Sequence, residues 1–159
     1  MPYAERTTVS TSKSRDEIER ILTRFGASGQ AFARDDDKRV VMVAFHRDRR
    51  NYRFTLPLPD AALEKFWYPN PEQPAYKRRK RSQGVHDEAV EQETRRLFRS
   101  LANFIKATLD AVESGIITAD EALLPYLILP SGSTVYETSV MQLADMGDVN
   151  FRKALGAGE

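Results

Sequence analysis

The clearest signal of secondary structure lies in residues 39–60, RVVMVAFHRDRRNYRFTLPLPD. The first part is rich in β-branched and apolar residues, and residues 51–56 alternate strictly between two faces. This alternation directs Tyr52, Phe54 and Leu56 to the core and Arg53 to the opposite side. We therefore predict strands at 39–46 and 51–56, the second ended by the prolines of LPLPD, which cannot donate to a strand ladder.

On the amino-terminal side, residues 30–34 predict a third strand, joined to the others through the turn-like sequence RDDDKR. Connections this short favour an antiparallel meander. Before the strands, apolar residues at helical spacing from Ile18 to Phe25 predict a helix over 15–25 that ends at Gly26. Ser14 and Glu17 have the spacing of a capping box, which places the start of this helix at Ser14.

On the carboxyl side, helical periodicity covers 87–114, and shorter helices are predicted at 119–124 and 134–145. Thr118 with Glu121 and Thr134 with Glu137 have capping-box spacing. The stretch YLILPSG, residues 126–132, is either a buried connector or a fourth strand.

These elements predict an α+β fold, with an α-β-β-β-α core, a three-stranded antiparallel meander covered by the long helix, and a C-terminal helical extension. The core would span 14–114 and include a proline-rich basic loop at 57–84, and the extension of the same domain would span 115–148. Residues 1–13 and 149–159 are expected to be flexible termini.

Composition narrows the class of protein. The chain has 159 residues, of which 41% are hydrophobic, and no cysteine. This size suits one globular domain, and the lack of cysteine excludes a disulfide scaffold, a thiolate zinc site and a thiol nucleophile. No apolar run approaches the roughly 20 residues that cross a bilayer, so we expect a soluble cytoplasmic protein without membrane association.

Charge is distributed unevenly along the chain, although its formal net value is only +1. The segment up to Lys106 carries +7 and the remainder −6. Such asymmetry often accompanies nucleic-acid or other anionic partners. The alternative is that the acidic part folds back on the basic part.

Catalytic motifs are not recognisable, and we predict that the protein is not an enzyme and uses no metal or cofactor. The two histidines, His46 and His86, lack metalloprotease spacing, and no phosphate-binding glycine loop or Gly-x-Ser-x-Gly sequence occurs. The aspartates of RDDDKR are explained by a turn. Asp87 and Glu88, beside His86, are explained by the start of the long helix.

Lys77 to Arg81 are five consecutive cations. They either belong to a solvated mobile loop or bind phosphates. Aromatic residues in the same loop favour the second interpretation, because bases stack on rings while cations neutralise the backbone. Trp67 can equally anchor the loop to the core. The candidate nucleic-acid-binding residues are Lys77, Arg78, Arg79, Lys80, Arg81, Arg95, Arg99, Lys106, Arg47, Arg49, Arg50, Arg53, Tyr76 and Trp67. As loop charges, Lys77 to Arg81 are expected to contribute little to stability.

Four stretches carry a resemblance to a known group of proteins: RFGASG at 24–29, VAFHRDRRNYRFTLPLPD at 43–60, RSLANFIKATLDAVESGIITADEALL at 99–124 and LPSGSTV at 129–135. Together they resemble a widespread family of small uncharacterised phage, prophage and mobile-element proteins. The resemblance extends from about residue 14 to residue 135. It implies a mobile-element setting in a bacterial cytoplasm, and it supplies no catalytic residues to carry over.

Two functional hypotheses follow. The first is a non-catalytic nucleic-acid-binding protein of a phage or mobile element, acting on single-stranded DNA in replication, recombination or annealing. The second is a protein-interaction factor, such as a phage-encoded inhibitor of a host defence or transcription complex. The expected partner is therefore a nucleic acid of unknown type or a host protein complex, and a homo-oligomer is compatible with both.

Overall fold

The structure is a computed structural model that describes residues 8–147. Its helices and strands are α1 (Thr11–Arg24), β1 (Gly29–Asp35), β2 (Val40–Arg47), β3 (Arg50–Pro57), α2 (Glu64–Trp67), α3 (Gln83–Glu113), α4 (Ala119–Leu123) and α5 (Val135–Ala144). Short 3-10 turns occur at Ala75–Lys77 and Leu124–Tyr126. The predicted α+β class and element order are confirmed. Residues 1–7 and the predicted tail 149–159 lie outside the described residues.

The sheet is antiparallel with strand order β1-β2-β3, as the short loops predict. Phe45 lies opposite Tyr52, and Val43 lies opposite Phe54. The predicted register is confirmed, because Tyr52, Phe54 and Leu56 are only 2–7% exposed while Arg53 lies on the other face. The β1–β2 turn predicted at RDDDKR forms at residues 36–39, while Arg34 and Asp35 belong to β1.

The core lies on one face of the sheet, where α1 and α3 both pack. Ile18 and Leu22 of α1 are fully buried, as is Ile105 of α3, and all three join the sheet residues in one hydrophobic cluster. Coverage by the long helix is thus confirmed. The sequence had not assigned α1 to the same face, but its close packing against α3 places it there.

The start of α1 differs from the prediction. The helix begins at Thr11 and is capped by Ser10, whose Oγ accepts a hydrogen bond from the Lys13 amide at 3.3 Å. Ser14 is fully buried inside the helix, and Glu17 pairs with Arg99 of α3 instead of returning to a cap. The capping box predicted at Ser14 is therefore wrong, because tertiary packing has used both of its members.

The start of α3 also differs. The helix begins at Gln83, four residues before the predicted Asp87, so the histidine and the acidic residues after it lie inside the first turns. Asp87 Oδ1 accepts hydrogen bonds from the Gln83 side chain and the His86 ring, at 2.7 and 2.9 Å. The explanation of Asp87 as a cap is wrong, since Ser82 occupies the cap position.

The C-terminal extension matches its predicted starts, because the capping boxes at Thr118 and Thr134 both form. Leu127 pairs with Tyr52 through a single bridge, and the Ile128 amide donates to the Asn51 carbonyl at 2.8 Å. YLILPSG is thus a connector that covers the β3 edge without becoming a full strand. Among the described residues, no helix is long and apolar enough to cross a membrane.

Candidate functional site

The basic loop, residues 58–82, folds against the first half of α3. The short helix α2 lies on α3, and Phe66 at its centre is buried. The Trp67 ring stacks on the His86 ring, with 3.8 Å between the centroids. The loop therefore has its own small packed cluster, and Trp67 has the anchoring position that the sequence offered as the alternative to base stacking.

His86 fastens this loop to α3. Its side chain is only 6% exposed, its Nε2 lies 2.8 Å from the Ala61 carbonyl oxygen, and its Nδ1 lies 2.9 Å from Asp87 Oδ1. Both partners are acceptors, so only the doubly protonated ring donates to both at once. The Ala61 carbonyl, and next the Asp87 carboxylate, raise the pKa of His86, while the nearby Lys80 opposes the shift.

Two of the five consecutive cations hold the loop in place. Arg78 donates from Nε to the Gln73 carbonyl at 2.6 Å and from Nη1 to Glu64 Oε2 at 3.2 Å. Arg81 donates from Nη1 to the carbonyls of Lys65 and Phe66, at 3.3 and 3.2 Å. Arg78 and Arg81 are therefore anchored within the loop, and the small contribution to stability expected of Lys77 to Arg81 stays a prediction.

The other three cations, Lys77, Arg79 and Lys80, are exposed and form no ion pair with any residue from 8 to 147. Tyr76 beside them is 83% exposed, and Lys77 Nζ lies 5.7 Å from its ring centroid. Lys80 Nζ lies 4.4 Å from the Trp67 ring centroid. We call Tyr76, Lys77, Arg79 and Lys80 the basic cluster.

The predicted cations of α3 do not share one role. Arg95 is 18% exposed and is held by Glu88 at 2.5 Å and Glu91 at 2.6 Å. Arg99 pairs with Glu17 and so joins α3 to α1. Lys106 is exposed and has no carboxylate partner in the described part of the chain. Two of the three candidate cations of α3 are thus neutralised by carboxylates.

The predicted cations of the β2–β3 hairpin lie elsewhere on the molecule. The Arg47 guanidinium lies 3.9 Å from the Phe25 ring centroid and 3.4 Å from Asp48 Oδ2. Arg49 occupies the turn and is free of ion pairs with the described residues. The remaining two are paired with acidic residues of the C-terminal extension: Arg50 with Asp120 at 2.6 Å and Arg53 with Glu137 at 2.8 Å.

The acidic extension therefore does fold back on basic residues, but on those of the hairpin and not on those of the loop. The Thr134 amide, and after it the Arg53 guanidinium, lower the pKa of Glu137. No carboxylate of residues 8–147 compensates the charges of Lys77, Arg79 and Lys80. Residues 8–147 contain no group of three histidine, aspartate or glutamate side chains placed to hold a metal ion.

Comparison with models of known protein families, with curated proteins and with solved structures gave no match to this chain. The resemblance to mobile-element proteins stays a prediction. The site is accordingly interpreted from its own geometry.

No motif in the sequence indicated the role of His86 directly. A lone histidine near a loop that contains Phe66, Trp67 and Tyr68 was the available signal, because such a ring can stack on an aromatic neighbour. The anchoring by Arg78 and Arg81 could not be predicted from the neighbouring sequence, because the carbonyl groups that accept their hydrogen bonds are set by the path of the folded loop.

Proposed function

We propose that the protein is a non-catalytic nucleic-acid-binding protein of a phage or other mobile element, and that it binds phosphates through the basic cluster. The observation that supports this proposal is that the five consecutive cations have two different roles. Two arginines fix the loop, and three cations beside an exposed tyrosine are left for an outside anion. Because Arg78 and Arg81 already anchor the loop, its backbone loses less conformational entropy when a ligand binds.

Single-stranded nucleic acid is the ligand that this chemistry fits best. Cations neutralise successive phosphates, and an open ring such as that of Tyr76 accepts a base on its face irrespective of sequence. Three free cations correspond to about three phosphate contacts, which limits the electrostatic part of the affinity. A role in replication, recombination or annealing in a bacterial cytoplasm is the setting that the resemblance implies.

The test is a fluorescence-anisotropy titration with labelled single-stranded DNA, duplex DNA and single-stranded RNA at low salt. The test variant replaces Lys77, Arg79 and Lys80 with serine and leaves Arg78 and Arg81 intact. We expect its affinity for single-stranded ligands to fall by about tenfold or more, because three phosphate contacts are lost.

A matched control removes the same three charges elsewhere. Lys13, Arg20 and Lys38 are exposed and lie outside the loop, so their replacement with serine changes the net charge equally. We expect this control to bind within about twofold of the wild type, since screening weakens charges that lie farther than a Debye length from the ligand. Equal losses in both variants would show a diffuse charge effect and would contradict the proposed site.

A second candidate is the protein-interaction factor, such as an inhibitor of a host defence or transcription complex. It is favoured by the ion pairs that engage six of the predicted arginines, because a surface of alternating charges suits a protein partner better than a polyanion. If the wild-type protein binds none of the three nucleic acids at low salt, this candidate function replaces the first.

A further inference from the structure

A titratable side chain lies at the contact between the basic loop and α3. The His86 side chain is 6% exposed, and its two ring nitrogens face the Ala61 carbonyl at 2.8 Å and Asp87 Oδ1 at 2.9 Å. A neutral ring has one N–H, so it donates to only one of these acceptors. Loss of the proton therefore leaves either the Ala61 carbonyl without its donor or a ring lone pair against the Asp87 carboxylate.

The same ring is joined to the basic cluster through Trp67. The Trp67 ring stacks on the His86 ring with 3.8 Å between the centroids, and Lys80 Nζ lies 4.4 Å from the centroid of that Trp67 ring. Lys80 belongs to the basic cluster, and its ammonium charge works to lower the pKa of His86. The proton on His86 and the charge of the basic cluster therefore oppose each other beside one tryptophan ring.

The charges that act on His86 come from α3 and from the loop. The Asp87 carboxylate on α3 works to raise its pKa, and Lys80 in the loop works to lower it. The charge that opposes protonation of the ring is thus that of Lys80. The charged side chains of α2, the third element at this contact, are paired elsewhere: Lys65 with Glu93 at 3.9 Å and Glu64 with Arg78 at 3.2 Å.

A phosphate bound at Lys80 changes this balance. Its negative charge offsets the ammonium charge that opposes protonation, so the ligand favours the protonated form of His86. By linkage, the protonated ring then favours the ligand by the same factor. The contact with the loop acts in the same direction, because the charged ring holds the Ala61 carbonyl and keeps the loop in its binding conformation.

We propose that His86 is a proton-linked control of the basic cluster, in which the protonated ring strengthens the binding of single-stranded DNA and binding in turn promotes protonation. This inference rests on the proposed binding of phosphates by Lys77, Arg79 and Lys80. Binding is then tighter in mildly acidic than in mildly alkaline solution, a range in which lysine and arginine charges do not change.

Anisotropy titrations with a labelled thymine-only oligonucleotide, from about pH 6 to about pH 8.5 at constant ionic strength, test this control. Thymine has no group that titrates in this range. We expect the wild-type affinity to fall by about fivefold or more as the pH rises. His86→Gln should give a flat profile, because its amide can donate to the Ala61 carbonyl but does not titrate. His46→Gln is the matched control, since His46 lies in β2 and bonds to Asn51. It should keep the wild-type profile.

Proton NMR of the wild-type chain measures the same coupling without a change at His86. The chain has two histidines, so comparison with His46→Gln assigns the ring signals. We expect the pKa of His86 to be higher with saturating oligonucleotide than without it. The antilogarithm of this difference should equal the ratio of the affinities at the acidic and alkaline ends of the anisotropy profile.

Asp87→Asn separates titration from simple attachment of the loop. Loss of the carboxylate should lower the pKa of His86 and move the fall in affinity to lower pH. A wild-type affinity that depends on salt and on the basic cluster but not on pH would overturn the proton-linked control and leave the proposed function in place. So would a pH profile of His86→Gln equal to that of the wild type. Wild-type protein that binds no single-stranded nucleic acid at any pH would overturn both.

Discussion

His86 is the side chain on which the attachment of the basic loop depends most directly. It contacts the Ala61 carbonyl, the Trp67 ring and Asp87, and thereby connects the first half of the loop to α3. The surrounding charges are few: Asp87 on its own helix favours the protonated ring and Lys80 from the loop opposes it. When the ring is protonated it donates to both the Ala61 carbonyl and Asp87, and so holds the loop to α3.

The pH dependence of stability follows from that proton. The pKa of His86 in the folded chain is raised above the ordinary value of 6.5. Its stabilising effect is therefore complete below about pH 6.5 and is lost as the pH rises through the folded-state pKa. We expect the difference in thermal midpoint between wild type and His86→Gln to narrow as the pH increases from about 6 to about 9. A difference that stays constant over this range would contradict a charged His86.

Arg49 offers a test at the β2–β3 turn. Asp48 and Arg49 form a two-residue connection with φ values of 51° and 63°, a type I′ geometry in which glycine is preferred at the second position. We expect Arg49→Gly to increase the free energy of unfolding by about 0.5–1 kcal/mol, because the strain of a left-handed arginine exceeds the entropy that glycine loses.

Urea denaturation measures this change. Because Arg49 is far from the basic cluster in sequence and forms no ion pair with a described residue, the same variant should bind single-stranded DNA as wild type does. A destabilised Arg49→Gly chain would mean that the arginine side chain supports the hairpin in a way that its contacts do not show.

For the helices and strands, the sequence-based predictions were right where the contacts that determine an element join residues close together in the chain. The alternation of Tyr52, Phe54 and Leu56 fixed the β3 register, because a slip of one residue would expose all three. The capping boxes at Thr118 and Thr134 formed for the same reason. The box at Ser14 failed although its spacing was as good, since Glu17 is drawn to Arg99, which is 82 positions away in the chain.

Replacing either of the two serines near the start of α1 with alanine should change the free energy of unfolding, in opposite directions. Ser10→Ala should lower the free energy of unfolding by about 1 kcal/mol, because the cap of the Lys13 amide is lost. Ser14→Ala should raise it by about 1 kcal/mol, because Ser14 Oγ is buried without a partner among the described residues and alanine is the better helix former. Chemical denaturation of both variants measures the signs. A loss of stability in Ser14→Ala would show instead that the buried Ser14 hydroxyl stabilises the folded chain.

For the molecule as a whole, the sequence predicted the sign and location of the charge asymmetry but not which cations remain free. Pairs such as Arg53–Glu137 and Arg50–Asp120 join residues that are 84 and 70 positions apart, so they depend on the tertiary fold. The basic cluster can be distinguished from the other candidate residues only when these ion pairs are known. The fold was therefore largely predictable from local patterns, whereas the candidate site required the long-range contacts.

The salt dependence of single-stranded DNA binding tests the proposed phosphate contact most directly. Anisotropy titrations at several salt concentrations should give a linear plot of log affinity against log salt, with a slope of about −2 for three phosphates at about 0.7 ion each. In the Lys77, Arg79 and Lys80 serine variant the slope should fall nearly to zero with an unchanged thermal midpoint, because Arg78 and Arg81 still hold the loop. A variant whose slope and affinity equal those of the wild type, at the same midpoint, would show that the basic cluster does not contact phosphate.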